Sequence, residues 1–280
     1  MYCANCCEER LYEMQLNPVT YSDLTEIRKL QPDGWSDIVP DFEFYINSPF
    51  CNPVKTEIDN KIVGVGASII FEKTSWIAHI IVDSNYRKRG IGTTIVNQLL
   101  KSLRDDSIDT CLLIATELGL PIYEKAGFRA VTGYSYLKKE RPCDKMPVSV
   151  NVIPFAEKHR SMIYDLDKEI SGENRSKLLK DYLGNSLVYI ENNRVSGYYV
   201  PALKDGLICA ERNDVGIELM KTKFCDSEKA TLPSDNIAGI DFLKQNGFVE
   251  SGVKGTRMIL GKDIDWHPEK IFNRIGGNFG

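Results

Sequence analysis

The residues best suited to chemistry form one run, Ile80-Ile81-Val82-Asp83-Ser84-Asn85-Tyr86-Arg87-Lys88-Arg89-Gly90-Ile91-Gly92-Thr93. A β-branched strand enters a basic turn, and the turn opens a helix. Free N–H groups at a helix start, with the positive end of its dipole, attract phosphate. Gly90 and Gly92 let the backbone approach a ligand with no Cβ in the way. Arg87, Lys88 and Arg89 add positive charge, and Thr93 offers a hydroxyl. The run is not a Walker loop, which needs G-x-x-x-x-G-K-[ST]. It is not a dinucleotide turn either. That motif needs G-x-G-x-x-G after the first strand of a βαβ unit, and here a G-x-G follows roughly the fourth strand.

A second candidate fails on ligand count. Cys3-Ala4-Asn5-Cys6, with Cys7 beside it, is a C-x-x-C at the N-terminus. Zinc wants four ligands, and no second C-x-x-C occurs. His79, His159 and His267 stand far apart in the sequence. No metal is expected. The other cysteines (Cys51, Cys111, Cys143, Cys209 and Cys225) are scattered and read as free thiols of a reducing compartment.

The elements that must hold the basic turn can be read from periodicity. Leu11–Asn17 reads as a strand ended by Pro18. A helix runs from Ser22 or Asp23 to about Leu30, and a short one covers Asp41–Ile46. Val54–Asp59, an Asn60-Lys61 turn and Ile62–Phe71 read as a hairpin, and Ser75–Val82 as the next strand. In Gly90–Leu103 the residues Ile91, Ile95, Leu99 and Leu103 recur every fourth place and make one apolar helix face. Asp109–Ala115 is apolar without alternation, as a buried strand is. Leu118–Ala126 is a helix stopped by Gly127, and Phe128–Leu137 a strand.

After a charged, proline-bearing stretch at 140–147, a similar order of elements restarts at Val148 and runs through a final strand at Phe248–Leu260. Tyr123-Glu-Lys-Ala-Gly127-Phe128 in the first half answers Leu243-Lys-Gln-Asn-Gly247-Phe248 in the second. An internal duplication is the economical explanation. The expected domains are 1–139 and 148–280, with 140–147 as linker.

Composition narrows the partners. Lys plus Arg is 35 against 39 Asp plus Glu, a formal charge of −4. No overall basic excess points to nucleic acid. No apolar run of membrane-spanning length occurs, and the first ten residues lack a secretory core, so a cytoplasmic protein is expected. A homodimer stays open.

Arg87-Lys-Arg-Gly90-Ile-Gly92 resembles the [QR]-x-x-G-x-[GA] pyrophosphate loop of the GNAT superfamily of N-acetyltransferases, with Val82 and Tyr86 matching the valine and aromatic ahead of it. Pro121-Ile-Tyr123-Glu-Lys-Ala-Gly127-Phe128 resembles the family's later L-Y-E-K-x-G-F segment. The match covers Leu11 to about Lys139, and the remainder looks like a degenerate repeat of the same fold. The resemblance implies an α/β fold of two tandem GNAT-like domains, each a mixed, mostly antiparallel sheet flanked by helices. It implies acetyl-CoA as co-substrate. The backbone of Ile80 and Val82, with Ile81 between them, would line the pantetheine arm. The N–H groups of Arg87, Lys88, Arg89, Gly90, Ile91, Gly92 and Thr93 would hold the pyrophosphate. Tyr123 stands where the family places the hydroxyl that protonates the leaving thiolate; a core-packing aromatic is the plain alternative.

The sequence also departs from the family. Trp76 and Ala78 occupy strand positions where many members carry Glu or His. Strand alternation aims the adjacent His79 at the opposite face, so it reads as a packed or solvent-edge histidine. The base is Glu117, a water chain, or no protein group at all. In the second half Ala210-Glu211-Arg212-Asn213-Asp214-Val215-Gly216 replaces the loop with acidic residues, and Leu243 replaces Tyr123. One active site is therefore expected, in the first half. Trp35 lines the acceptor pocket or packs the first helix. Arg175 binds an acceptor carboxylate or forms an ion pair, and Arg257 has the same two readings. The activity implied is N-acetyl transfer from acetyl-CoA to a primary amine of a small molecule. A peptide or protein amine, or an acyl-CoA sensor without turnover, are the alternatives.

Overall fold

The structure is a computed structural model that describes residues 14–142 and 146–280. The terminal cysteines Cys3, Cys6 and Cys7, the linker's Cys143, and the start of the strand expected from Leu11 lie outside the described residues.

The first half contributes β1 (Asn17–Pro18), α1 (Leu24–Arg28), α2 (Val39–Asn47), β2 (Cys51–Ile58), β3 (Lys61–Phe71), β4 (Thr74–Val82), α3 (Ile91–Asp105), β5 (Thr110–Ala115), α4 (Leu120–Lys125) and β6 (Arg129–Lys139). The second half contributes β7 (Val152–Pro154), α5 (Arg160–Ser171), α6 (Ser176–Leu179), β8 (Leu187–Glu191), β9 (Arg194–Val200), β10 (Leu207–Ala210), α7 (Asn213–Phe224), β11 (Lys229–Pro233), α8 (Ile237–Gln245), β12 (Phe248–Gly261) and β13 (Ile271–Asn273). The mixed, mostly antiparallel sheets flanked by helices agree with expectation. The β2–β3 turn is Asp59-Asn60 rather than Asn60-Lys61. Ile58 pairs with Lys61, and Asp59 and Asn60 both take positive φ (51° and 62°), the conformation that matches the twist of a two-residue hairpin.

Eight strands form one sheet in the order β1-β2-β3-β4-β5-β12-β6-β11, and five form another in the order β13-β10-β9-β8-β7. The second half lends strands to the first half's sheet. β12, from the second half, lies between β5 and β6, pairing Thr256 with Ala115 on one side and Phe248 with Lys139 on the other. β6 in turn pairs with β11, from Lys229 opposite Lys138 to Pro233 opposite Tyr134. β11 and β12 thus extend the sheet begun by the first half, while the five-stranded sheet is built from second-half strands alone.

The core follows the same logic. On α3 the side chains of Ile91, Ile95, Val96, Leu99, Leu100 and Leu103 are buried against β3, β4 and β5. Burial of each such side chain contributes about 1.5–3 kcal/mol. A second cluster joins both halves, with Phe42, Tyr45 and Trp76 packed among Ile163, Ile170, Leu178, Tyr198 and Phe279.

Candidate active site

Among the described residues the only parallel pairing involves β4 and β5, at Thr74–Thr110, Ser75–Cys111 and Trp76–Leu112. Beyond Trp76 the two strands part. The gap lies at the C-terminal end of β4, where the chain leaves for the basic turn.

That turn is built from local interactions. Asp83 accepts the N–H of Asn85 (2.9 Å) and pairs with Lys61 (2.7 Å). The Lys61 bond, with that backbone bond, holds the Asp83 carboxyl below the usual range. Arg87 Nε reaches back to the Val82 carbonyl at 3.1 Å, and the Arg89 guanidinium lies 5.1 Å over the Tyr86 ring. These contacts fold the cationic stems along the turn. Lys88 (φ 60°) and Gly90 (φ 82°) are both left-handed, so successive N–H groups turn toward one side. Among the described residues no backbone acceptor meets the N–H groups of Arg87, Lys88, Arg89, Gly90, Ile91 or Gly92, and the first helical bond at this end is Thr94 N–H to the Gly90 carbonyl (2.9 Å). A row of free donors at the mouth of a 15-residue helix suits a diphosphate. Gly92 faces Ile122 and Val82, which an added Cβ would meet at ordinary contact distance (3.5 and 3.6 Å), so Gly90 is the glycine the geometry requires.

Tyr123 lies on α4, its ring edge-on to Phe128 (6.0 Å). Burial pushes its hydroxyl pKa upward, so it stays protonated. A proton donor in that state can serve a leaving thiolate. Glu117, named above as a base, is largely exposed and paired with Lys254 at 3.4 Å.

His79 departs from the alternation expected of a strand. Ala78 pairs with Ala67 and Ile81 with Val65, so His79 and Ile80 together face Gly66. This bulge puts His79 at φ 51° and re-aims its side chain. The imidazole sits against α2. Its Nδ1 is 2.8 Å from the Tyr45 hydroxyl, and its Nε2 is 3.5 Å from Asp41 Oδ2. Trp35, 41% exposed, stands edge-on to it at 6.0 Å. Burial lowers the His79 pKa to about 4, so the ring is neutral at pH 7. Asn278 donates its amide to the Tyr45 oxygen (2.6 Å), which leaves the Tyr45 proton for Nδ1 and the His79 proton on Nε2. Lys204 completes the group by pairing with Asp41.

Arg175 and Arg257 are not available to an acceptor. The Arg175 guanidinium is buried and bound to Asp167 through Nε (3.1 Å) and Nη2 (2.5 Å). Detaching it would strand a buried carboxylate. Arg257 is sealed between Trp76 (4.7 Å) and Trp266 (3.9 Å). Sequence reasoning missed Asp41, Tyr45, Lys204 and Asn278. The spacing of Asp41 and Tyr45 on one helix face was a usable signal. Lys204 and Asn278 carried none.

The equivalent region of the second half is filled. α7 starts at Asn213 with Arg212 as its cap, and Arg212 pairs with Glu191 (2.9 Å) and Asp214 (3.0 Å). β13 pairs with β10, and its Asn273 and Arg274 neighbour bond to Thr231 of β11 (3.1 and 2.9 Å). Phe272 presses on Gly216 so closely that an added Cβ would lie 2.2 Å from the ring.

Comparison with known proteins agrees with this geometry. Residues 17–128 match the acetyltransferase (GNAT) family. The chain is 27% identical over 206 residues to the N-acetyltransferase YitH of Bacillus subtilis (strain 168), itself uncharacterised, covering 68% of this chain and 72% of that one. A candidate acetyltransferase from Pyrococcus horikoshii has a similar fold (TM-score 0.80, 19% identity, 95% of this chain and 96% of that one). So does a GCN5-related N-acetyltransferase from Sphaerobacter thermophilus (TM-score 0.62, 13% identity, 90% and 98%). These likenesses run through both halves and concern the fold. No described helix is long and apolar enough to cross a membrane. With its splayed strands and its free amides ahead of α3, residues 17–128 of this chain are similar to the GNAT acetyltransferases.

Proposed function

We propose that the protein transfers an acetyl group from acetyl-CoA to a primary amine of a small molecule, in the cytoplasm, at one site in the first half. The row of unpaired N–H groups at 87–92 beside the β4–β5 gap carries this reading. Those amides, with Thr93, hold the pyrophosphate, and the backbone of Ile80, Ile81 and Val82 lines the pantetheine. The neutral amine nitrogen attacks the thioester carbonyl carbon, the new C–N bond forms, and the C–S bond breaks. A backbone N–H near Val82 meets the oxyanion. Tyr123 gives its proton to the thiolate, and the proton shed by the nitrogen returns to Tyr123 through solvent. Trp35 lines the acceptor side. No metal enters the scheme, and no group of three or more metal-ligating side chains is present among the described residues.

The second half acts as a cover. Its domain, 148–280, lends β12 to the catalytic sheet, and its last residues reach α2. That enclosure favours a small acceptor over a protein surface. Thiol release from acetyl-CoA across a panel of amines tests the reading. Release with small amines is expected. Binding of acetyl-CoA without release for any amine would make the protein a sensor, and release only with peptides would move the acceptor class.

A further inference from the structure

The acetyl-transfer reading leaves the acceptor's anchor unassigned, and the inference drawn here rests on that reading. Asp41 is a carboxylate beside the β4 bulge, with its side chain still 20% exposed. His79 Nε2 stands 3.5 Å from one oxygen, and the Asn278 amide 3.4 Å from the other. Both are uncharged donors, so they fix the carboxylate without neutralising it. The charge is met instead by an amine of the protein itself, Lys204, which pairs with the same oxygen as Asn278. Lys204 comes from the β9–β10 connection, where it takes φ 50°, and its ammonium lies 5.4 Å over the Phe279 ring. The seat therefore has a carboxylate, an aromatic face and a primary alkyl amine already in it.

We propose that Asp41 receives the ammonium group of the acceptor, which gives up one proton to solvent before the neutral nitrogen attacks, that His79 holds the carboxylate for it, and that Lys204 occupies the seat until the acceptor displaces it. The location fits. His79 stands one residue before Ile80, where the backbone assigned to the pantetheine begins, and the exposed Trp35 ring stands edge-on to His79. The exchange is feasible because Lys204 is a long side chain on a loop, 27% exposed. Burial, opposed by Asp205 and reinforced by Arg274, brings the pKa of the seated lysine to about 8, which weakens its hold as a cation. Lys204 is the internal stand-in for the acceptor, and the acceptor class is a primary ammonium on an apolar stem.

The test uses the full chain loaded with coenzyme A, titrated calorimetrically with n-butylamine, and in parallel acetyl-CoA turnover with the same amine. Lys204→Met should tighten butylamine about tenfold and lower its KM alike, with kcat unchanged, because a competitor is gone. Lys204→Arg should restore the wild-type KM. Asp41→Asn should weaken butylamine at least tenfold while coenzyme A affinity, which reports an intact fold, stays the same. An unchanged or raised KM in Lys204→Met overturns the proposal, as does wild-type affinity in Asp41→Asn or no butylamine binding by the wild type. Butylamine binding that follows this pattern without any acetyl transfer would instead defeat the acetyl-transfer reading and leave the seat standing.

Discussion

The two clefts of this chain begin from the same order of elements and end with opposite contents. In the first half β4 and β5 part beyond Trp76, and the turn before α3 presents unpaired amides at Gly90 and its neighbours. In the second half β13 lies alongside β10 and is bonded to β11, with Phe272 against Gly216, and the cap of α7 is an arginine spent on Glu191 and Asp214. A cleft between splayed strands exposes backbone donors and acceptors that must be satisfied. One half leaves them for a ligand, and the other satisfies them with its own chain. Under the proposed duplication, the second half would have retired its site by filling it, without losing the architecture that the site required.

The largest expected effect lies in the filled cleft. Phe272→Ala should lower stability by ~3–5 kcal/mol, the usual result of emptying a buried aromatic site, measured by denaturant unfolding. Acetyl-CoA stoichiometry should remain one per chain. A second equivalent bound by the variant would mean that the ring alone had closed a latent site, and the contrast would need redrawing.

Next is the open cleft. Gly90→Asp forces a side chain into φ 82° and sets a carboxylate among the amides. Left-handed strain of ~1–2 kcal/mol plus loss of the favourable dipole interaction predicts roughly 100-fold weaker acetyl-CoA by calorimetry. Undiminished affinity would remove the turn from the site. Tyr123→Phe should follow, with kcat down on the order of 100-fold and the KM for acetyl-CoA little changed. Equal turnover at every pH would show that the thiolate takes its proton elsewhere.

The smallest effect, taken per pH unit, comes from His79, which has no histidine counterpart in the second-half cleft just described. Its folded pKa of about 4 lies below the ordinary value of about 6.5, so between these values the unfolded chain binds more protons. Stability should then be intact above pH 6.5 and fall by up to ~1.4 kcal/mol per pH unit as the pH drops toward 4. Thermal unfolding over this window should show the loss, and His79→Asn should flatten it. A wild-type curve with no slope there would mean that Asp41 keeps His79 easier to protonate than its burial implies.

Local pattern was enough to determine a good deal. The spacing of Ile91, Ile95, Leu99 and Leu103 specified α3 and its buried face. The glycines and arginines before it specified a turn that presents free helix-end donors, because those donors and left-handed backbone depend on neighbours a few residues away. The acidic residues at Glu211 and Asp214 marked the second half as unlike the first for the same reason. Tertiary structure decided the rest. His79 was assigned to the wrong face because alternation assumes an unbroken strand, and one left-handed residue at the bulge cancels it. No sequence signal placed β12 between β5 and β6, since strand partners are chosen by packing over the whole sheet. The acceptor seat depends on the same long-range choice. Asp41, His79, Lys204 and Asn278 are distant along the chain, and only the shared core of the two halves brings them together.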